Sequence, residues 1–223
     1  MNPALRSSAA HVFVESLGDL TLQPDDAHHL FRVLRLRDGE CVTASDGCGG
    51  WRPTEVAGHS LRPVGESTVE PAVPQLTIAS AIPKGDRAEW MVQKLTEIGV
   101  SEIVLLHCDR SAVRWEGDRA ERQTVRARRV AREAAMQSRR VWLPVITGPL
   151  PCLEVLAHDG VAAAEPAGVA VSALLGRPAT VVIGPEGGFS ERELAGAATL
   201  VALGPNVLRI ETAALVAAVS FLT

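Results

Sequence analysis

Residues 181–215, VVIGPEGGFSERELAGAATLVALGPNVLRIETAAL, constrain this chain more than any other stretch. Two short apolar runs, residues 181–183 and 201–203, each lead straight into a glycine and proline turn: Gly184, Pro185, Glu186, Gly187 and Gly188 after the first, Gly204 and Pro205 after the second. Between them Ser190 and Glu193 have capping-box spacing, which predicts a helix over about residues 190–199. Two loops therefore leave the C-terminal ends of two buried strands, the place where open α/β sheets bind their ligands. Glycine lets main-chain N–H and C=O groups approach a ligand closely and allows positive φ, so the loops suit a ligand recognised through main-chain atoms. A phosphate cradle is the rival reading. It fails because no Lys-Ser/Thr pair follows as in GxxxxGK[ST], and no GxGxxG follows a strand.

The chain before this stretch divides in two. Residues 11–70 read as a small β-rich module with one helix. HVFVESL is a first strand; Pro24, Asp25 and Asp26 open a helix that continues through HHLFRVL; and a hairpin is expected around residues 46–50, DGCGG. Arg32, Arg35 and Arg37 fall on or beside that helix, where they read as a solvated face. His28 and His29 have no partner at metal-ligand spacing. Pro71 and Pro74 mark a linker, after which strands and helices alternate. LTIASAIP and EIVLLHC are buried strands around an amphipathic helix, DRAEWMVQKLTEIGV, with Trp90, Val92, Leu95 and Ile98 as its apolar positions and Gly99 as its stop. GVAAAEP is a further strand ending at Glu165 and Pro166. This alternation means an α/β domain with a mostly parallel sheet.

Residues 118–137 hold no Gly or Pro and few β-branched side chains, so one long helix is expected. Arg119, Arg122, Arg126 and Arg129 follow one another at steps of three, four and three, which places them on one face. Formal net charge is −4, but between residues 110 and 140 ten arginines stand against four acids. A local excess of six positive charges on an otherwise acidic chain is the form that phosphate binding takes, and evenly spaced guanidinium groups track charge without reading bases.

With 47% hydrophobic and 22% charged residues over 223 positions, the chain can build a sizeable core as one large or two small domains. No apolar run is long enough to cross a bilayer, and MNPALRSSAAHVF lacks a basic segment followed by an apolar one, so a cytoplasmic protein without membrane contact is expected. Cys41, Cys48, Cys108 and Cys152 are scattered, with no CxxC and no His at ligand spacing. Neither a disulfide framework nor a metal site is expected. The last segment, residues 211–223, is an apolar helix without a C-terminal cap, which leaves room for a longer natural chain.

IGPEGGFS, one helix, then LGPNVLRIETAAL resembles the C-terminal half of the SPOUT methyltransferases, trefoil-knotted enzymes that use S-adenosyl-L-methionine. Within that superfamily the chain is similar to the RsmE-type enzymes, which methylate N3 of a uridine in small-subunit (16S) ribosomal RNA. QKLTEIGV at residues 93–100 is similar to that family's QKxxELGV, and the likeness covers nearly the whole chain. Two departures stand out. Asn206 replaces the Arg of the family's LGPRxLR, and Met136-Gln137-Ser138-Arg139-Arg140 replaces Glu-Gln-Ser/Cys-Gly-Arg.

The resemblance implies a fold class of α/β type: a SPOUT α/β trefoil-knot methyltransferase domain at residues 73–223, preceded by a small PUA-like RNA-binding β-barrel at residues 1–72. It implies a homodimer formed through the knot domain, acting on 16S rRNA or the small ribosomal subunit. By position, three loops would hold the cofactor: Ala164 and Glu165; then Ile183, Gly184, Pro185, Glu186, Gly187 and Gly188; then Leu203, Gly204, Asn206, Val207, Leu208, Ile210 and Ala213. RNA would meet Arg32 and Arg35 of the barrel, Arg122, Arg126 and Arg129 of the long helix, and Arg139 and Arg140 in the turn after it. The protein must align two reactants and manage the N3 proton of uracil. Arg209 is the candidate for stabilising the uridine anion or holding a phosphate, and Glu211 is the candidate base, or else a complement to the helix dipole. Glu186 is a turn residue or a cofactor ligand. Two other readings stay open: a SPOUT enzyme with another rRNA or tRNA target, and a non-catalytic RNA-binding factor in ribosome assembly.

Overall fold

A computed structural model describes residues 2–174 and 176–222; Met1, Leu175 and Thr223 lie outside it. The chain forms two compact units, one made of the segment up to Val73 together with Arg132–Leu143, the other of Pro74–Ala131 together with the segment from Pro144. The sequence placed a boundary between residues 72 and 73 and put everything after it in one domain. The structure instead returns the end of the long helix and the turn after it to the first unit.

In that unit a short helix α1 (Pro3–Ser7) precedes β1 (Ala10–Phe13), α2 (Pro24–His28), β2 (Cys41–Ser45), β3 (Gly50–Ala57), β4 (Ser60–Pro63) and β5 (Thr68–Val69). The strand order is β1-β2-β3-β4, with β5 also on β3; β1 and β2 run parallel and the other pairs antiparallel. The expected hairpin is β2–β3. Asp46 Oδ1 closes its turn by accepting from the N–H of Cys48 at 2.7 Å and of Gly50 at 3.0 Å, the local bond that makes Asp a turn residue. The expected helix from Pro24 holds α geometry only to His28 and then widens to a π turn over His29–Val33, where the Leu34 N–H reaches His29 O at 2.9 Å. It ends at Arg35, whose φ of 54° is left-handed. Val12, Leu30, Val42, Ala44 and Val56 form the core.

The second unit is one six-stranded parallel sheet. Its elements in chain order are β6 (Thr77–Ala81), α3 (Arg87–Ile98), β7 (Glu102–His107), α4 (Gly117–Ser138), β8 (Val145–Pro151), α5 (Cys152–Leu156), β9 (Val161–Ala170), β10 (Thr180–Ile183), α6 (Glu191–Gly196), β11 (Thr199–Ala202) and α7 (Ile210–Leu222). The strands lie in the order β11-β9-β10-β6-β7-β8. The central strands are buried on both faces through Ile78, Ala79, Val104, Leu105, Val181 and Val182, as continuous apolar runs in a parallel sheet must be. On α3 the buried stripe is Ala88, Met91, Val92 and Leu95, spaced i, i+3, i+4, i+7. Trp90, expected in that stripe, is 44% exposed because it stands on the opposite side of the helix.

Two boundaries near the C-terminus differ from expectation. Helix α6 stops at Gly196 rather than near residue 199 because Thr199 and Leu200 already pair with Ala162 and Ala163 of β9. Strand β9 continues past Pro166 because its register against β11 shifts, with Val169 and Ala170 taking Val201 and Ala202. Residues 164–168 are the slack in that ladder, and Pro166, which has no N–H to give, sits within it. After β11, at the sheet edge, the chain passes back over the sheet so that α7 packs against α3, β6 and β10. Ile210, Ala213, Ala214, Ala217, Ala218 and Phe221 are its buried side.

The Met136-Gln137-Ser138-Arg139-Arg140 turn accommodates its departure from the family pattern in a readable way. Arg139, at the position usually held by Gly, has φ 58°. A side chain there is strained, roughly 1–2 kcal/mol for a non-glycine residue. Its guanidinium offsets this with bonds to three carbonyls in the same unit: Met136 O at 3.0 Å, Ser8 O at 3.0 Å and Ala9 O at 3.3 Å. Both Arg139→Ala and Arg139→Gly lose those bonds, but only Gly relieves the backbone. We therefore expect Arg139→Gly to be the more stable of the two by up to about 1 kcal/mol in chemical denaturation. Equal stabilities would mean that the turn is not strained.

Candidate active site

The slack segment of β9 and the C-terminal ends of β10 and β11 border a cavity of about 400 Å³. Its first wall is the slack segment of β9, with Ala164, Glu165 and Pro166. Its second is the loop after β10, with Ile183, Gly184, Pro185, Glu186, Gly188 and Phe189. Its third is the loop after β11 and the start of α7, with Leu203, Gly204, Asn206, Val207, Leu208, Arg209, Ile210 and Ala213. Every position expected to hold the cofactor lines this cavity except Gly187. Pro166 and Phe189 also line it and were not anticipated, although each adjoins a motif residue.

Gly187 lies outside the lining because of how the loop turns. The Gly188 N–H closes a turn on Pro185 O at 2.9 Å, with Gly188 at φ 69°. The turn directs Gly187 away from the cavity, toward Arg110: a Cβ on Gly187 would stand 3.2 Å from the Arg110 Cβ. Gly184 does line the cavity, yet a Cβ there would come within 3.0–3.2 Å of the buried Phe189 ring. A side chain at either glycine would thus press on a neighbour within the protein. Main-chain atoms and mostly apolar side chains face the cavity, with Glu165, Glu186 and Arg209 as the charged lining residues among the described ones.

The capping box expected at α6 is complete: Ser190 Oγ accepts from the Glu193 N–H and Glu193 Oε2 accepts from the Ser190 N–H at 2.8 Å. Glu193 is also 1% exposed, and its Oε1 accepts from the Asp109 N–H at 2.9 Å. Two cysteines far apart in sequence come together beside it. Cys108, Cys152 and Glu193 are all buried, with ligand atoms within 4.8 Å of one another. Hydrogen bonding to Cys108, then burial, pushes the Cys152 thiol far above the ordinary thiol range, so it keeps its proton. Both oxygens of the carboxylate already serve backbone N–H groups.

The two candidate catalytic residues separate. Arg209 lines the cavity, and its carbonyl accepts the first α7 bond, from the Ala213 N–H at 2.8 Å. Glu211 does not line it. On α7, Ile210 and Ala213 share the cavity face, and Glu211 is about 100° further round. There it is 7% exposed and pairs with Arg87, at the start of α3, through Arg87 Nη1 and Glu211 Oε1 at 3.5 Å.

The arginines also sort into two groups. Arg119, Arg122, Arg126 and Arg129 are exposed along α4, but Arg126 pairs with Glu89 at 2.7 Å, so the face is less uncompensated than its sequence suggests. Arg32 and Arg35 are exposed on the first unit. Others hold the fold: Arg128 donates to Ile146 O, and Arg132 grips Asp26 through both oxygens, at 2.8 and 2.6 Å, while lying over the Phe13 ring. Arg139 and Arg140, expected to meet RNA, belong largely with this second group. Arg139 is engaged with three carbonyls, and burial lowers the pKa of Arg140 to about 10.

Comparison with known proteins agrees with this geometry. Residues 70–222 match a family described as an RNA methyltransferase domain, and residues 22–60 match an RNA methyltransferase PUA domain. The chain is 33% identical to ribosomal RNA small subunit methyltransferase E of Mycobacterium tuberculosis (strain CDC 1551 / Oshkosh), over 92% of this chain and 88% of that one. Among solved structures, a probable rRNA-methyltransferase from Porphyromonas gingivalis is 31% identical with a TM-score of 0.75, covering 94% of this chain and 95% of that one. A Legionella pneumophila structure, described as a methyltransferase in complex with the bound cofactor SAM, is 25% identical with a TM-score of 0.83, covering 95% and 96%. On this evidence the chain belongs to the RNA methyltransferase family, with the SPOUT-type α/β methyltransferase fold preceded by a PUA-like β-domain.

Proposed function

We propose that this chain is an S-adenosylmethionine-dependent methyltransferase that modifies N3 of a uridine in small-subunit ribosomal RNA. The observation that carries the reading is the cavity built from three loops at the C-terminal edge of β9, β10 and β11. Its volume of about 400 Å³ and mostly apolar lining suit a small-molecule cofactor. Ile183, Leu203, Leu208 and Ala213 offer a surface for an aromatic base, and Glu165 and Glu186 offer negative charge to a cationic or hydroxyl-bearing ligand. The M. tuberculosis relative is named a small-subunit rRNA methyltransferase, and the Legionella structure is described with bound SAM.

Bound S-adenosylmethionine supplies a methyl group already activated as a sulfonium. The chain itself must hold the uridine in line and stabilise its anion once solvent water has taken the N3 proton. Arg209, exposed at the cavity wall, presents a permanent positive charge where the uracil anion develops. Glu211 acts behind that wall: it anchors Arg87 and places a negative charge in the first turn of α7, where the dipole favours it. Arg119, Arg122 and Arg129 of α4, with Arg32 and Arg35, supply exposed charge for the RNA backbone. The protein works in the cytoplasm, where ribosomal subunits are built, and as a homodimer through the second unit. The apolar character of α7 around most of its circumference supports the dimer, and a single-chain mass in light scattering would count against it. Among the described residues no helix is long and apolar enough to cross a membrane.

Nucleoside mass spectrometry of small-subunit rRNA, from cells with and without the protein, tests the reaction. N3-methyluridine should disappear with the protein, and an unchanged level would send the activity to another target. At the site, Arg209→Ala should slow single-turnover transfer by about 10² or more while both ligands still bind, the scale of removing one anion-stabilising group. Glu211→Gln should stay within about threefold of wild type. A loss of roughly 10² to 10⁴ in that variant would instead make Glu211 the base. For RNA, changing Arg122, Arg126 and Arg129 together to Ala should lower the log–log salt slope of binding by up to about two units. Each phosphate contact contributes somewhat less than one unit, and Arg126 must first leave Glu89. An unchanged slope would remove α4 from the RNA interface.

A further inference from the structure

The segment that follows β7 touches the loop after β10 at three places, and none of its residues lines the cavity. Arg110 Nη1 donates to Gly187 O at 3.2 Å, while its Cβ packs where a Gly187 side chain would stand. The Asp109 carboxylate accepts from Ser190 Oγ at 2.5 Å and from Arg192, Nε at 2.6 Å and Nη2 at the other oxygen. The Asp109 N–H donates to Glu193 Oε1 at 2.9 Å, and the other oxygen of that buried carboxylate holds the Ser190 N–H at 2.8 Å. Residues 187, 190, 192 and 193 are therefore all tied, from the side away from the cavity, to two consecutive residues, Asp109 and Arg110.

Such ties matter because the loop between β10 and α6 contains Gly184, Gly187 and Gly188. A glycine-rich segment samples many conformations when free, and a ligand that binds it must bear the cost of ordering it. The Pro185–Gly188 bond alone closes one turn and does not orient that turn against the cavity. Arg110 does so from behind, because its bond to Gly187 O sets the plane of the Gly187–Gly188 peptide. Asp109 holds the other end of the loop at the first turn of α6. Arg192, then Ser190, keep its carboxyl well below the usual carboxylate range, so this end stays charged throughout the neutral range.

We infer that Arg110 and Asp109 are positioning residues for the cofactor: they hold the loop after β10 in its binding shape and so set cofactor affinity without touching the cofactor. This rests on the reading of the cavity as the S-adenosylmethionine site. Calorimetry with S-adenosylmethionine on the full chain tests both, with steady-state kinetics on small-subunit particles beside it. Arg110→Ala should weaken binding about tenfold or more, the lower end of what a charge-assisted hydrogen bond contributes. KM for S-adenosylmethionine should rise by a similar factor, while kcat at saturating cofactor and RNA affinity stay within about threefold. Arg110→Lys, which can still donate to Gly187 O, should recover most of the affinity. Asp109→Asn, which keeps the N–H to Glu193 but removes the charge facing Arg192, should weaken binding in the same sense.

The two readings fail separately. If the wild-type chain does not bind S-adenosylmethionine, the cofactor reading of the cavity is wrong. If wild type binds and Arg110→Ala and Asp109→Asn bind equally well, the positioning role is wrong. A fall in kcat with unchanged KM would also overturn it, since that places Arg110 at the chemistry or the RNA. A thermal midpoint lowered equally in Arg110→Ala and Arg110→Lys, with affinity falling in both, would reduce the contact to general stability and overturn it as well.

Discussion

Parallel pairing of β9, β10 and β11 brings three strand ends to one edge, and the rest of the site depends on that alignment. The pairing of Ile183 with Ala164 sets two of the cavity walls side by side. The register shift between β9 and β11 then leaves residues 164–168 out of the ladder just where the third wall arrives. A regular ladder would have closed this gap with backbone bonds. The cavity opens where β9 is longer than its pairing with β11 requires, between Ala163 and Val169, and Pro166 lies within that unpaired stretch.

On that scaffold the glycine-rich loop has two faces with different duties. Toward the cavity it shows main chain and small side chains. Gly184 makes room there for the Phe189 ring, and on the other side Gly187 makes room for Arg110. The glycines are therefore as much a consequence of how the loop is packed as of what it binds. Glu193 ties these duties together: a single buried carboxylate caps α6 and accepts the Asp109 N–H from another part of the chain. Its neighbour Cys152, hydrogen-bonded to Cys108 and buried, keeps its proton, which lets the thiol share that apolar space with the carboxylate.

Charge is divided just as sharply. The positive excess of residues 110–140 looks in sequence like one patch, but its members do different work. Arg119 and Arg122 face solvent, Arg126 is matched to Glu89, and Arg132 and Arg139 fasten backbone and Asp26 within the first unit. The last group shows what an arginine does when its charge is half-buried: it becomes a multiple donor to carbonyls and carboxylates. Arg139 also shows how a side chain can replace glycine in a left-handed turn when enough bonds reward it.

Much of this was legible in order along the chain. The β-branched apolar runs at residues 77–81, 102–107 and 180–183 specify buried parallel strands, Ser190 and Glu193 specify a helix start, and the two glycine and proline turns specify where the ligand loops leave the sheet. These are local matters, decided by propensity, capping and hydrophobic pattern over a few residues. The path of α7 back across the sheet, the register shift that opens the cavity and the return of residues 132–143 to the first unit were not legible, because each depends on pairings between segments tens of residues apart. The same reason separates Arg209 from Glu211. Two residues apart in LRIETAA, they read alike as site residues, and only the packing of α7 on α3 turns one to the cavity and the other to Arg87. The sequence by itself determined which loops would border the cavity and what kind of main chain they would offer. The tertiary structure alone decided which side chains face the cavity and which, like Arg110 and Asp109, touch the loop from behind, since facing is a property of the packed helix and not of its sequence.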